Sequence, residues 1–182
     1  MPNTNRSLGV YIPTGDPDTV NVSSLYAGGE LGLAFDHNDR SYQIVQVDSG
    51  CVAANGVGVV AANDLAFWKD KDRYLVTNDF RQAIGGSLGT EAYRNQVAGV
   101  FRNAVTAGYY TNILQRGDNI PVACTTTPDA VGELVVASNT ASQAYCAGIN
   151  VGTASTHQII GTCRVAASDN VAYVDVDIPN IP

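Results

Sequence analysis

A chain of 182 residues is the size of one domain, large enough to bury roughly 70% of its unfolded surface, and does not depend on disulfide or metal staples for a core. Its net charge of -7 comes with only ten Lys and Arg residues scattered along the chain, so no basic stripe exists to neutralise phosphates, which argues against nucleic-acid binding. No apolar run approaches the roughly 20 residues of a membrane helix. Residues 1–13, MPNTNRSLGVYIP, lack the basic-then-apolar pattern of a signal peptide, so the expectation is a chain made in the cytoplasm without a membrane partner.

The aliphatic set contains 22 Val and 10 Ile against 9 Leu, and stiff β-branched side chains favour a pleated surface over a helix. Charged residues make up 15%, against roughly 25% in ordinary soluble proteins. A surface of Asn, Thr, Ser, Ala and Gly can be covered by a partner with little charge to desolvate.

Residues 1–27 read as an extended arm, with Pro2, Pro13 and Pro17 among Asn, Thr, Ser and Asp, and apolar anchors only at 10–12 and 20–22. From Gly28 to the end the pattern is that of a β-rich core domain. Residues 31–35 and 42–47 flank the polar cluster 36–40, which closes a hairpin. Residues 57–61, 65–68 and 73–77 read as further strands joined through Asn63-Asp64 and the charged 69–72.

Asn78 and Asp79 are placed to cap a short helix through Ile84, ended by Gly85-Gly86, and Thr90-Glu91 to start another. Residues 97–122 then read as strand, turn, strand, turn, strand, with breaks at Gly99, Gly108 and Gly117. Further runs follow at 134–137, 144–149, 158–161 and 171–178. In the last, Ala172, Val174, Val176 and Ile178 fall on one face and Tyr173, Asp175 and Asp177 on the other. The expected fold is all-β, a β-sandwich or β-barrel of short antiparallel strands with one or two short helices and the N-terminal arm.

No motif supplies a reaction. Gly85-Gly86-Ser87-Leu88-Gly89 matches G-x-S-x-G, and Asp118 or Asp129 with His157 follows in hydrolase order, but the βαβ alternation that a nucleophile elbow needs is missing. Two histidines exclude His-cluster metal chemistry, and His37 between Asp36 and Asp39 is explained by the turn. Asp175 and Asp177 share a strand face, where facing solvent is the plainer reading than sharing a cation. Cys51, Cys124, Cys146 and Cys163 contain no C-x-x-C and read as buried free thiols, with structural disulfides the alternative. Arg116-Gly117-Asp118 spells an adhesion tripeptide and also suits a tight turn; Asn21-Val22-Ser23 is a formal glycosylation acceptor. The expectation is a protein with no catalytic residues, cofactor or metal.

Trp68, Tyr109 and Tyr110 suit core or interface packing, with a sugar-binding face as the alternative. Together with Val10, Tyr11, Ile12 and Pro13, an apolar stretch in a polar arm that needs a partner to cover it, they are the candidate interface residues.

The order of the strands at 31–35 and 42–47, then VAGVFRNAVTAGYYTNILQRGD, then GELVVASNTASQAYCAGI and the strand at 171–178, resembles capsid decoration, or cement, proteins of tailed bacteriophages over residues 28–178. The resemblance implies a β-sandwich or barrel without catalytic residues. It implies a homo-oligomer, dimer or trimer, that binds the outside of the major capsid protein lattice and stabilises it. Its place would be the capsid exterior of a virion assembled in the host cytoplasm. The alternative is a glycan- or receptor-binding β-sandwich module of a phage head fibre or tail.

Overall fold

The computed structural model describes residues 17–23, 31–51, 58–79, 82–83, 97–124, 131–137, 144–147 and 158–178. Among them the fold is all-β. The strands are β1 (Ala34–His37), β2 (Arg40–Val47), β3 (Val59–Val60), β4 (Leu65–Asp70), β5 (Leu75–Thr77), β6 (Val97–Phe101), β7 (Val105–Thr106), β8 (Tyr110–Ala123), β9 (Leu134–Ala137), β10 (Ala144–Ala147), β11 (Ile159–Ser168) and β12 (Val171–Asp177). Among the described residues the helical positions are the 3-10 turn Pro17–Thr19 and Gln82, which falls within the first expected helix. Of the residues expected to form the first helix, Asn78 and Asp79 lie in irregular chain, where Asp79 accepts the Gln82 N–H in a short turn. The second expected helix lies outside the described residues.

Ten strands form one sheet in the order β1-β2-β5-β4-β6-β8-β12-β11-β9-β10, and β3 pairs with β7 beside it. A further pairing of β2 with β8 closes a ring through β2, β5, β4, β6 and β8. The β2–β5 contact is parallel, whereas the other pairs of the ring are antiparallel. The 14-residue β8 serves two neighbours along one edge: Ile113 and Leu114 meet β6, and its later residues meet β12. The fold is thus a barrel and an open sheet that share β2 and β8.

Alternation sorts these strands into two cores, with a bulge in β6 shifting its phase so that Val97 and Val100 share one face and Ala98 and Phe101 the other. Val45, Val47, Val76, Ala66, Trp68, Ala98, Phe101 and Ile113 come from all five ring strands and fill the ring. Tyr42, Leu65, Phe67, Val100 and Leu114 point outward from it and pack against Ile120, Val122, Val135, Ile160, Val174 and Val176 of the open sheet. The ring closes tightly at Gly99. A Cβ there would lie 2.7 Å from the Leu114 carbonyl oxygen and 3.0 Å from Ile113 Cβ. Gly99 therefore sits inside β6 as a residue that lets two backbones meet, not as the expected strand break.

The β1–β2 hairpin forms as the cluster 36–40 predicts. His37 pairs with Arg40 around a two-residue turn in which Asn38 and Asp39 have φ of 48° and 60°, a left-handed pair that Asn and Asp tolerate. Asp169 and Asn170, at 55° and 63°, turn β11 into β12 the same way. The expectation for Arg116-Gly117-Asp118 is corrected, because β8 runs straight through it. Gly117 opposes Val176 and Ile120 opposes Val174, so Asp118 and Asn119 together face Asp175. This is a β-bulge, with Asn119 at φ 55° and its N–H donated to Asp175 Oδ1 at 3.0 Å. Gly-Asp-Asn relieves the register of a long strand without reversing it.

Candidate functional site

In β12 and the residue after it, Ala172, Val174, Val176 and Ile178 are buried while Tyr173 points out, 41% exposed, as the alternation predicts. Register shifts in β11 after Cys163 bring Val165 opposite Tyr173. Thr162 stands opposite Leu134, and Ile159 opposite Val136. Leu134, Ile159, Val165, Tyr173 and Val131, which precedes β9, are the large apolar side chains left exposed among the described residues. None belongs to the ring. One exposed ion pair crosses this face, Arg164 Nε donating to Asp175 Oδ2 at 2.8 Å. Apolar side chains with a sparse polar component are the composition of a docking surface.

Residues 17–23 form a second feature, a strap laid on the barrel. Pro17 is buried and its carbonyl accepts Asn112 Nδ2 at 3.2 Å. The Val20 carbonyl accepts Thr111 Oγ1 at 2.6 Å and Asn103 Nδ2 at 3.2 Å, and Val22 exchanges both backbone hydrogen bonds with Tyr110. Asp18 is the clasp. Its Oδ2 lies 3.0 Å from Arg40 Nη1 and 3.4 Å from Arg102 Nε, and its Oδ1 accepts the Tyr42 hydroxyl at 2.9 Å. Burial is the main reason that the Tyr42 hydroxyl is pushed up to about 12, and Asp18 adds to the effect.

Two clefts flank the β1–β2 hairpin. One, of about 370 Å³, is lined by His37, Asn38, Arg40 and Tyr42. The other, of about 350 Å³, is lined by Phe35, Asp36, Ser41, Arg116 and Asp177 among others. Neither lining set contains a nucleophile held by a base that is itself oriented by a third group, the arrangement covalent catalysis requires. A denser polar cluster beside the barrel satisfies itself: Lys69 Nζ donates to Asp48 Oδ2 at 2.7 Å, and Gln82 Nε2 to the Gly50 carbonyl at 2.8 Å. Among the described residues no group of three or more His, Cys, Asp or Glu is placed to hold a metal ion.

The aromatic candidates are dispersed. Trp68 is 7% exposed inside the ring, edge-on to Tyr74 with centroids 6.4 Å apart. Tyr109 packs partly buried against the same cluster, and Tyr110 opens β8 under the strap. Val10, Tyr11, Ile12 and Pro13 lie outside the described residues, as do Ser87, Asp129 and His157. Cys51, Cys124 and Cys163 are buried free thiols, and burial pushes the Cys124 thiol up to about 11. The outward face of the open sheet was not legible as a site, although the Ile159-Ile160 pair carried a signal: consecutive isoleucines in a strand put one on each face.

No family model matches the chain, and no curated protein matches it. Among solved structures it is similar to the crystal structure of the head fiber gp8.5 N base in bacteriophage phi29. The identity is 14% and the TM-score 0.43, with 78% of this chain and 97% of that chain covered. At this level of similarity no residue role is transferred.

Proposed function

We propose that this chain is a structural protein of a bacteriophage head, carried on the outside of the capsid lattice. The observation that supports the reading best is the segregation of exposed large apolar side chains onto β9, β11, β12 and the turn before β9. Leu134 and Ile159 are 41% and 48% exposed, so each forgoes roughly half of the 1.5–3 kcal/mol that complete burial from water gives, and a repeating lattice supplies the cover many times over. The resemblance over residues 28–178 points to the same setting, and a low-charge surface suits repeated packing.

Within this class, the base of a head fibre fits better than a free-standing cement. The apolar face lies on the open sheet, whereas the strap of residues 17–23 lies on the barrel, so the chain offers two separate faces for contact. A base needs one for the shell and one for the protein it projects. The shell-side partner is the major capsid protein, and the chain works as a homo-oligomer.

The test is co-sedimentation of purified protein with expanded capsid shells, using the full chain and the double variant Leu134→Asp, Ile159→Asp. The unaltered chain is expected to pellet with shells in a fixed ratio, and the folded variant to stay in the supernatant. If the unaltered chain ignores shells, the reading is wrong; if the variant pellets equally, the apolar face is not the contact. A cement that bridges capsomers is expected to raise the melting temperature of the shells more than a fibre base seated on one capsomer does.

A further inference from the structure

The inward face of β2 runs Val47, Val45, Gln43, Ser41 toward the start of the strand, so the apolar filling of the ring gives way to polar side chains at that end. Gln43 and Gln115, 4% and 5% exposed, close it, with Gln115 Nε2 donating to Gln43 Oε1 at 2.8 Å. Gln115 is the extra residue of a β-bulge. Tyr42 opposes Leu114 and Ser41 opposes Arg116, so Gln115 and Arg116 together face Ser41. Bulges at barrel rims re-aim side chains. This one sets Arg116 in a row of direct cross-strand partners that runs Asp36, Ser41, Arg116, Asp177 across β1, β2, β8 and β12. The cleft of about 350 Å³ beside the hairpin is lined by all four and by Gln115, which makes it the mouth of the ring. Among the described residues the Arg116 guanidinium, the Asp177 carboxylate and Gln115 Oε1 have no hydrogen bond or ion pair, although Arg116 and Asp177 stand opposite each other. An amide oxygen so deeply placed without a donor costs free energy that a ligand hydroxyl recovers.

We propose that this cleft at the mouth of the barrel binds a sugar unit of an uncharged glycan. Charge narrows the class of ligand. The Arg116 guanidinium repels a cation, and the Asp36 and Asp177 carboxylates at the ends of the row repel an anion, so the ligand is neutral. It must bring donors for Gln115 Oε1 and the two carboxylates, and acceptors for Arg116, in one small body. Sugar hydroxyls both donate and accept, and a neighbouring pair of them matches the two-pronged geometry of a guanidinium or a carboxylate. The volume lies at the small end of ligand sites, which span about 300–1,000 Å³ and favour the mouths of β-barrels. The inference stands independently of the phage-head reading.

Titration of the ¹⁵N-labelled full chain with the methyl glycosides of glucose, galactose, mannose and N-acetylglucosamine tests it by nuclear magnetic resonance. At least one glycoside is expected to shift the Arg116 Nε and Gln115 Nε2 side-chain signals saturably, with a Kd on the order of 1 mM for a single sugar unit. Arg116→Ala removes an exposed side chain that has no partner to lose, so the variant keeps its fold and should bind about tenfold or more weakly. Asp177→Ala, also at an exposed position, should weaken binding by a similar factor. Glycosides that leave those signals unmoved overturn the proposal, as does saturable binding that Arg116→Ala leaves unchanged. Tighter binding of glucosamine or glucuronic acid than of glucose overturns the assignment to an uncharged sugar.

Discussion

Replacing Asp18 with Ala removes one carboxylate and strips partners from three side chains at once. Arg102 is the costly one: its side chain is 11% exposed, and Asp18 is 13% exposed. Losing one member of a fully buried pair costs about 3–5 kcal/mol, and an exposed pair costs about 0–1. Arg102 Nε meets Asp18 as an ion pair without a hydrogen bond, and Nη1 keeps its bond to Asn63 Oδ1 at 3.2 Å, so about 2 kcal/mol, below the range of a fully buried pair, is the expected share. The Arg40 pair, with the Arg40 side chain 35% exposed, contributes about 0.5, and the Tyr42 hydrogen bond about 0.5–1 kcal/mol. The sum is near 3 kcal/mol. Urea unfolding followed by fluorescence should show the midpoint falling with an unchanged slope. If the strap detaches by itself, the core midpoint holds and the Val22 and Tyr110 amides lose protection instead. A variant within about 0.5 kcal/mol of the parent in which those amides stay protected would refute the assignment of Asp18 as a clasp.

Gly161→Ala should cost at least about 2–4 kcal/mol or prevent folding, because the added Cβ would sit 2.1 Å from the Asp175 carbonyl oxygen and 2.8 Å from Val174 Cγ1. Gly108→Ala supplies the contrast, with no atom within 4 Å of the new Cβ and only the strain of φ 81° to meet; its loss on thermal unfolding should be smaller, about 1–2 kcal/mol. The Tyr42 hydroxyl titrates at about 12 in the folded chain, above the value near 10 in the unfolded one. Between those values the unfolded chain has lost the proton and the folded chain keeps it, so this contribution is fully present below pH 10 and disappears as pH rises toward 12. Chemical unfolding at pH 9 and 11 should show the parent losing about 1 kcal/mol more than Tyr42→Phe, and equal slopes in the two would count against a buried neutral hydroxyl.

The strand at 171–178 was legible because alternation is local, and those at 42–47 and 134–137 because a short apolar run between polar breaks is local too. The same holds for the hairpin turn at Asn38-Asp39, whose left-handed pair is written in the residue types, whereas the like turn at Asp169-Asn170 emerged only with the pairing of β11 and β12. Glycine was less informative, since Gly99 and Gly117 carry the same letter as a turn former and instead serve a close approach and a bulge. What a glycine does depends on the strand across from it, and the chain order does not name that strand.

The sequence by itself thus determined the class of fold, the faces of its clearest strands and the absence of a recognisable reaction motif. Tertiary structure decided the rest. Ring closure joins β2 to β8, more than sixty residues apart between Gln46 and Tyr110, and depends on pairing free energy that no window of ten residues contains. The same closure sends Trp68 inward, where its residue type suited core and interface packing alike. It also leaves Leu134, Ile159, Val165 and Tyr173 facing out. Asp18 became a clasp only when Arg40, Tyr42 and Arg102 converged on it, because a salt bridge is a distance in space and the sequence records only a distance along the chain.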